Sequence, residues 1–340
     1  MIHIQISNEQ LNRCKEVYFE WIEKIFEKQG NKLQISNLID YFNLKIPRKS
    51  EYDLTNKVRT VEFLKSNKNE ILNIAFNKDL EAANSLQRQN GAAQTSEGEN
   101  YIPRNRSSRI YFGETLYNKL RSSTIPYQLY KEILGINVCP YCNKNSLEYI
   151  EYTSEETGEI TGKISRIDID HIKPKSDFSN LTIHFYNLMP CCHTCNLTKL
   201  ANSYPSLFEE NEGRFLFKFD FSKMSYEAII QAHLSDNLNI KIEGLNDDLL
   251  KLEKRYNSDK GKIKSVLKRR YWYNEHYLKL IEKTLDEAGL SEYNSSELRQ
   301  LDIHELLELH LSEKDYLTTP YSKMTKDLLN DMDDIMQAYQ

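Results

Sequence analysis

Two Cys-x-x-Cys pairs, Cys139-Pro-Tyr-Cys142 and Cys192-His-Thr-Cys195, stand 49 residues apart in a chain of 340. Each such turn presents two thiolates on one side of a tight loop, at about 2.3 Å from a shared Zn²⁺. Two turns complete a tetrahedron with no open position, so the metal they imply is structural and its binding energy becomes folding energy. Forty-nine intervening residues are many for a simple zinc ribbon. A hairpin plus an active-site segment would fill the gap. Cys191 competes with Cys192 for the fourth place, but only Cys192 has two-residue spacing to Cys195, which favours Cys192. His193, inside the second knuckle, reads as an exposed turn residue rather than a ligand.

The chain has six cysteines, five of them within 57 residues. A disulfide framework spreads cysteines around a small secreted fold. Clustered pairs instead fit a reduced compartment and a metal. The N-terminus lacks a basic start followed by an apolar stretch, and no run of 18 apolar residues occurs. The expectation is a cytoplasmic protein with no membrane partner.

The 340 residues allow about two domains. At 39% hydrophobic and 28% charged, the chain can bury a core. Apolar residues from Leu11 to Phe26 recur at helical spacing and predict a helix over 8–28, capped by Ser7 or Asn8, with Cys14 a buried thiol. Further helices are expected over 34–43 and 55–83. This makes 1–83 a helical N-terminal region. Residues 84–108 contain almost no large apolar side chains and read as a flexible linker. A helix over 113–134 leads into a core spanning 109–210, with strands over 146–153 and 159–169 joined by Thr-Ser-Glu-Glu-Thr-Gly. The region 211–340 is read as a strand pair, 213–221 and 237–243, followed by helices from about 246 onward.

The net charge of −5 does not announce a nucleic-acid binder, but it hides an asymmetry. From Lys251 to Lys283 there are 11 Lys/Arg against 4 Asp/Glu, a net of +7. From Thr284 to Gln340 there are 4 against 13, a net of −9. The basic block around Lys268, Arg269 and Arg270 is a candidate for tracking a phosphate backbone. The plainer reading, which is favoured, is an amphipathic helix with Ile263, Val266, Leu267 and Trp272 in the core.

Directly before the second cysteine pair lies Asp168-Ile-Asp170-His171-Ile-Lys173-Pro-Lys175, then Phe-Tyr-Asn187-Leu-Met-Pro-Cys-Cys-His-Thr-Cys-Asn196-Leu-Thr-Lys199. A carboxylate beside a histidine at a strand end offers a hard oxygen ligand and a base side by side. Asp168 falls on the same strand face as Asp170 and reads as an edge carboxylate rather than a second ligand.

These residues resemble the HNH endonuclease family in its zinc-stapled branch. The resemblance rests on Asp170-His171-Ile-x-Pro174, Asn187-Leu188 and Cys192-x-x-Cys195-Asn196-x-x-Lys199, preceded by Cys139-x-x-Cys142. It covers about residues 136–205. It implies an α+β fold with a central ββα-metal core and a structural four-cysteine zinc site, flanked by mainly helical regions. It further implies Asp170 and Asn196 as ligands of a catalytic Mg²⁺ or Mn²⁺, and His171 as the general base. Asn187 would hold the His171 ring through its side-chain carbonyl. Lys199, Lys173 and Lys175 would contact phosphates, and the products would be a 5′-phosphate and a 3′-hydroxyl. DNA is then the expected partner, in anti-phage defence or restriction. The Phe-Tyr-Asn-Leu-Met-Pro-Cys-Cys variant is similar to HNH nucleases of Septu-type and retron-linked defence systems, which act beside an ATPase. A protein partner of that kind, an ATPase or sensor subunit, is expected to dock through the N-terminal or the acidic C-terminal helices.

Overall fold

A computed structural model describes residues 2–28, 35–42, 44, 57–89, 106–208, 215–220, 238–244, 249–272, 280, 283–284, 287 and 312–338. Among the described residues, helices combine with three separate antiparallel strand pairs, an α+β composition. Contacts divide the chain into two units: His3–Asn137 with Leu147–Glu210, and Met1–Ile2, Val138–Ser146 and Asn211–Gln340. The N-terminal helices therefore belong to the same unit as the strands that carry Asp170 and His171.

In the first of these units, α1 (Asn8–Lys28) opens on a capping box. Ser7 Oγ accepts from Gln10 N at 3.1 Å, and Gln10 Oε1 accepts from Ser7 N at 3.0 Å. Ser7, not Asn8, is the cap. Cys14, Tyr18, Trp21, Ile22 and Phe26 are buried along one face, as the periodicity requires. Helix α2 follows over Ile35–Phe42. The expected helix over 55–83 is broken into α3 (Lys57–Ser66), α4 (Lys68–Ala75) and α5 (Leu80–Gln89). Polar side chains that bond their own backbone make the breaks. Asn67 Nδ2 donates to Phe63 O at 2.8 Å, and Asp79 Oδ1 caps α5 at Ala82 N, 2.9 Å.

Both ends of the expected linker are helical. Residues 84–89 complete α5, and α6 (Arg106–Arg121) begins before 108; residues 90–105 lie outside the described residues. Helix α6 also ends early, where Ser122 and Ser123 turn their hydroxyls onto Lys119 O and Leu120 O. A wide helical turn resumes over Tyr127–Ile133.

Strands β1 (Glu148–Thr153) and β2 (Ile160–Arg166) pair as the hairpin expected from the turn sequence between them. One face packs on the Tyr127–Ile133 turns through the Tyr127–Tyr149 edge contact, the bond from Tyr127 to Glu151 and the Lys163–Glu132 ion pair. The second strand does not run to 169. It stops at Arg166, and a new strand, β3 (Asp168–His171), pairs antiparallel with β4 (Leu188–Cys191), with Asp170 opposite Met189 and His171 opposite Leu188. Helix α7 (His193–Lys199) follows β4 at once. Two strands and a helix thus succeed one another in a compact β–β–α order.

The N-terminal helices and α6 form the backing of β3 and of the 179–187 segment. Tyr18 Oη donates to Ile183 O at 2.8 Å, Tyr117 Oη donates to Ile169 O at 2.6 Å, and Phe76 stacks on Phe185 at 4.6 Å between centroids. At Gly113, α6 comes so close to the short 3-10 turn at Ser179–Leu181 that a β-carbon would meet Thr182 Oγ1 at 3.1 Å and Ser179 O at 3.3 Å. Glycine is what permits this approach.

In the other unit, β5 (Leu216–Asp220) and β6 (Asn239–Glu243) pair antiparallel, inside the two expected strand segments. Both outer edges are covered by side chains. Asp327 and Asp331, one turn apart on the helix Ser322–Ala338, accept from Phe217 N and Phe219 N on β5. Asn257 bonds both the N–H and the C=O of Ile240 on β6, each at 2.8 Å. Covered edges cannot recruit another strand. The knuckle residue Asn143, at φ +47°, is buried and knits its loop to the C-terminal segment. It donates to Tyr316 O at 2.7 Å and accepts from Lys323 N at 2.9 Å. Asparagine tolerates the left-handed conformation better than most residues. The helix Lys260–Trp272 buries Ile263, Val266 and Leu267 and leaves Lys268 exposed. That is the amphipathic arrangement. The side chains of Arg269, Arg270 and Trp272 lie outside the described residues, as do most of 273–311. Among the described residues, no helix is long and apolar enough to cross a membrane.

Candidate functional site

The ligand atoms of Cys139, Cys142, Cys192 and Cys195 all lie within 4.8 Å of one another, and all four residues are buried. Four converging thiols with no carboxylate or imidazole among them fit a closed, structural zinc site. Cys192, and not Cys191, is the fourth member of this cluster. Cys191 ends β4 opposite Asp168, is fully buried and is outside the cluster. Burial pushes its thiol well above the ordinary range, with the Asp170 charge adding to this. It is therefore an inert packing residue.

The second cluster is built on β3 and α7, within one unit. Alternation along β3 puts Asp168 and Asp170 on the same face. Asp170 is buried, and Lys199 Nζ from α7 reaches both its oxygens, at 3.2 and 3.0 Å, as well as His171 O at 2.8 Å. Lys199 is 0% exposed. It is not a surface cation awaiting a phosphate; it is the internal counter-ion of Asp170. Its place three residues after Asn196 turns it inward, onto the strand. Asn196, on the same helix, donates from Nδ2 to Asp168 Oδ2 at 2.9 Å. Helix α7 is therefore laced to β3 at both carboxylates. His193 is largely exposed, as read, but its Nδ1 also meets Asp168 Oδ2, at 2.8 Å.

His171 is buried against the Tyr117 ring, 4.7 Å between centroids. Its Nε2 lies 2.9 Å from Thr182 O. A carbonyl only accepts, so Nε2 carries the hydrogen and Nδ1 keeps the lone pair. Burial lowers the imidazole to about 4, with the Thr182 carbonyl opposing and the Lys175 and Lys199 charges adding to the depression. The ring is neutral at pH 7 and in the state a general base requires.

Asn187 does not hold this ring. Its Oδ1 accepts from Lys173 N at 2.7 Å, and its Nδ2 donates to Lys173 O at 3.1 Å and Leu181 O at 3.0 Å. It is fully buried and staples the turn after His171 to the segment that supplies Thr182. The ring is oriented by a main-chain carbonyl, which no side-chain pattern announces. Lys173 and Lys175 are each paired with an acid, Glu81 at 3.0 Å and Glu114 at 3.2 Å. Both pairs are at least partly exposed. Exposed pairs are worth at most about 1 kcal/mol, so either lysine can be released to a phosphate.

A second buried imidazole, His184, stands in the backing of the site. Burial lowers it to about 4, and the Ile74 carbonyl offsets only part of this. Both histidines are ordinary near 6.5 when unfolded. Above pH 6.5 neither state is protonated and the stabilisation is complete. Between about 6.5 and 4 the unfolded chain takes up protons that the folded chain refuses, so stability falls, by roughly 3 kcal/mol per histidine at pH 4. Urea unfolding at pH 7.5 and 4.5 should therefore show a steep loss in the wild type and a loss smaller by about 2–3 kcal/mol in His184→Leu. Equal losses in both would show that His184 does not set this slope.

No family model, curated protein or solved structure matches the chain.

Proposed function

We propose that the chain is a divalent-metal-dependent HNH-type endonuclease that hydrolyses phosphodiester bonds in DNA, leaving a 5′-phosphate and a 3′-hydroxyl. The observation that carries the reading is the β3–β4–α7 succession. It brings Asp170, a neutral His171 with its lone pair on Nδ1, and Asn196 onto one strand and the helix laced to it, directly at a four-thiol cluster. The resemblance of these same residues to the HNH family is part of the reading.

Asp170 and the side-chain carbonyl of Asn196 are hard oxygen donors of the kind suited to Mg²⁺ or Mn²⁺. When bound, such an ion supplies charge stabilisation for the pentacovalent phosphate and the departing 3′ oxygen. His171 takes the proton of the attacking water at Nδ1 while Thr182 O fixes its tautomer. Asn187 keeps Thr182 and the turn after His171 in register. Lys173 and Lys175 meet flanking phosphates. A role in anti-phage defence, in the bacterial cytoplasm and beside an ATPase or sensor subunit, follows from the motif variant alone and is part of the same proposal.

The test is cleavage of supercoiled plasmid by zinc-loaded protein with Mg²⁺ or Mn²⁺, wild type beside His171→Ala. The wild type should nick or linearise the plasmid, and the variant should fall by at least about a hundredfold with unchanged zinc content. Equal cleavage by both proteins would refute the assignment of the base. A folded, zinc-bearing wild type that cuts nothing would remove autonomous DNase activity and direct the search to a partner-activated enzyme or an RNA substrate.

A further inference from the structure

Asp168 precedes Asp170 by two residues on the same face of β3, and only 16% of its side chain is exposed. Its two oxygens do different things. Oδ2 accepts from Asn196 Nδ2 at 2.9 Å and from His193 Nδ1 at 2.8 Å. Oδ1 faces Arg121 Nη2 at 4.0 Å. A carboxylate can only accept, so the NH₂ end of Asn196 is the end turned to Asp168, and its carbonyl end is turned away. A side-chain amide has two ends of nearly equal shape and opposite chemistry. The rotamer of Asn196 does not choose between them; the neighbour on one side does.

We infer that Asp168 is a positioning residue for Asn196. By claiming the NH₂ group it leaves the carbonyl oxygen as the end presented to a divalent cation. The inference rests on the proposed function, since it takes Asn196 as an ion ligand. It gives Asp168 a task distinct from that of Asp170. Asp170 offers its own oxygens; Asp168 spends one of its oxygens on orienting another residue's. Partners that orient ligands in this way typically change metal affinity by about 10–100-fold when removed.

Mn²⁺ titration of the zinc-loaded full chain, read by electron paramagnetic resonance of the free ion, tests this without reference to activity. Asp168→Ala should weaken Mn²⁺ binding by about 10–100-fold, with zinc content retained. Asp168→Asn retains a carbonyl that can accept from Asn196 and should stay within about threefold of wild type. Asn196→Asp makes the two ends equivalent, so adding Asp168→Ala to it should cause no further weakening. The inference is overturned if Asp168→Ala binds Mn²⁺ like wild type. It is also overturned if Asp168→Asn is as weak as Asp168→Ala, or if Asp168→Ala still weakens binding in the Asn196→Asp background. Either result would make the charge of Asp168 its contribution. The underlying ion reading fails separately, and takes the inference with it, if Asp170→Ala leaves wild-type Mn²⁺ binding unchanged.

Discussion

Cys192→Ser is expected to lose the zinc and, with it, cooperative folding around the knuckles. The side chain is one of four buried thiols within 4.8 Å. A structural zinc of this type is worth about 10–16 kcal/mol of apparent binding energy at neutral pH. Whole domains are stable by only about 5–15 kcal/mol, so the ion is comparable to the net stability of the fold. Cys191→Ser is the matched control. It alters the neighbouring residue, itself fully buried, but leaves all four thiols in place. Metal analysis should find one zinc per chain in the wild type and in Cys191→Ser, and none in Cys192→Ser. Thermal melts followed by circular dichroism should show a cooperative transition in the first two only. A strong chelator should convert the wild-type melt into that of Cys192→Ser. A Cys192→Ser protein that keeps its zinc and melts normally would remove the four-thiol site.

Lys199→Met should destabilise the protein by about 3–5 kcal/mol, the usual cost of stripping one partner from a buried ion pair. Methionine nearly matches the volume, so the loss is electrostatic rather than a cavity. The fully buried ammonium contacts both oxygens of Asp170 and the carbonyl of His171, and each of these is left in a site from which water is largely excluded. The double variant Lys199→Met/Asp170→Asn removes the stranded charge and should be more stable than Lys199→Met alone, by about 1–3 kcal/mol. Denaturant unfolding of the four proteins of this cycle measures the coupling. A surface lysine waiting for a phosphate would cost less than about 0.5 kcal/mol, so a small effect would return Lys199 to the solvent.

The parts of this molecule with a strong local signal were legible from residues alone. The four-cysteine cluster is set by spacing, α1 by its apolar periodicity and Ser7 cap, and the β1–β2 hairpin by its turn. What escaped was decided by tertiary contact. Residues 84–89 have a linker's composition, yet they continue a helix whose first turns pack. Lys199 has the chemistry of a phosphate contact, but the short α7 turns it against β3, where Asp170 and the main-chain oxygen of His171 receive it. Asn187 stands at a motif position whose expected partner is the His171 ring, and its amide instead closes on Lys173 and Leu181. The histidine's true holder, Thr182 O, is a backbone atom, and backbone atoms have no signature in composition or spacing. Strand alternation puts Asp168 on the Asp170 face, but the bond it accepts from Asn196 is a tertiary contact with no signature in the sequence.

The close passage of α6 over the 179–182 turn has a practical edge for anyone engineering this protein. Exchanging a mid-helix glycine for alanine is a standard route to a hardier variant, worth about 0.5–1 kcal/mol where the helix is otherwise unobstructed. At position 113 the added methyl would press on Thr182, whose carbonyl sets the histidine's tautomer, at 3.1 Å. A stabilisation campaign guided by helix propensity alone would choose this site early and would trade robustness against the alignment of His171.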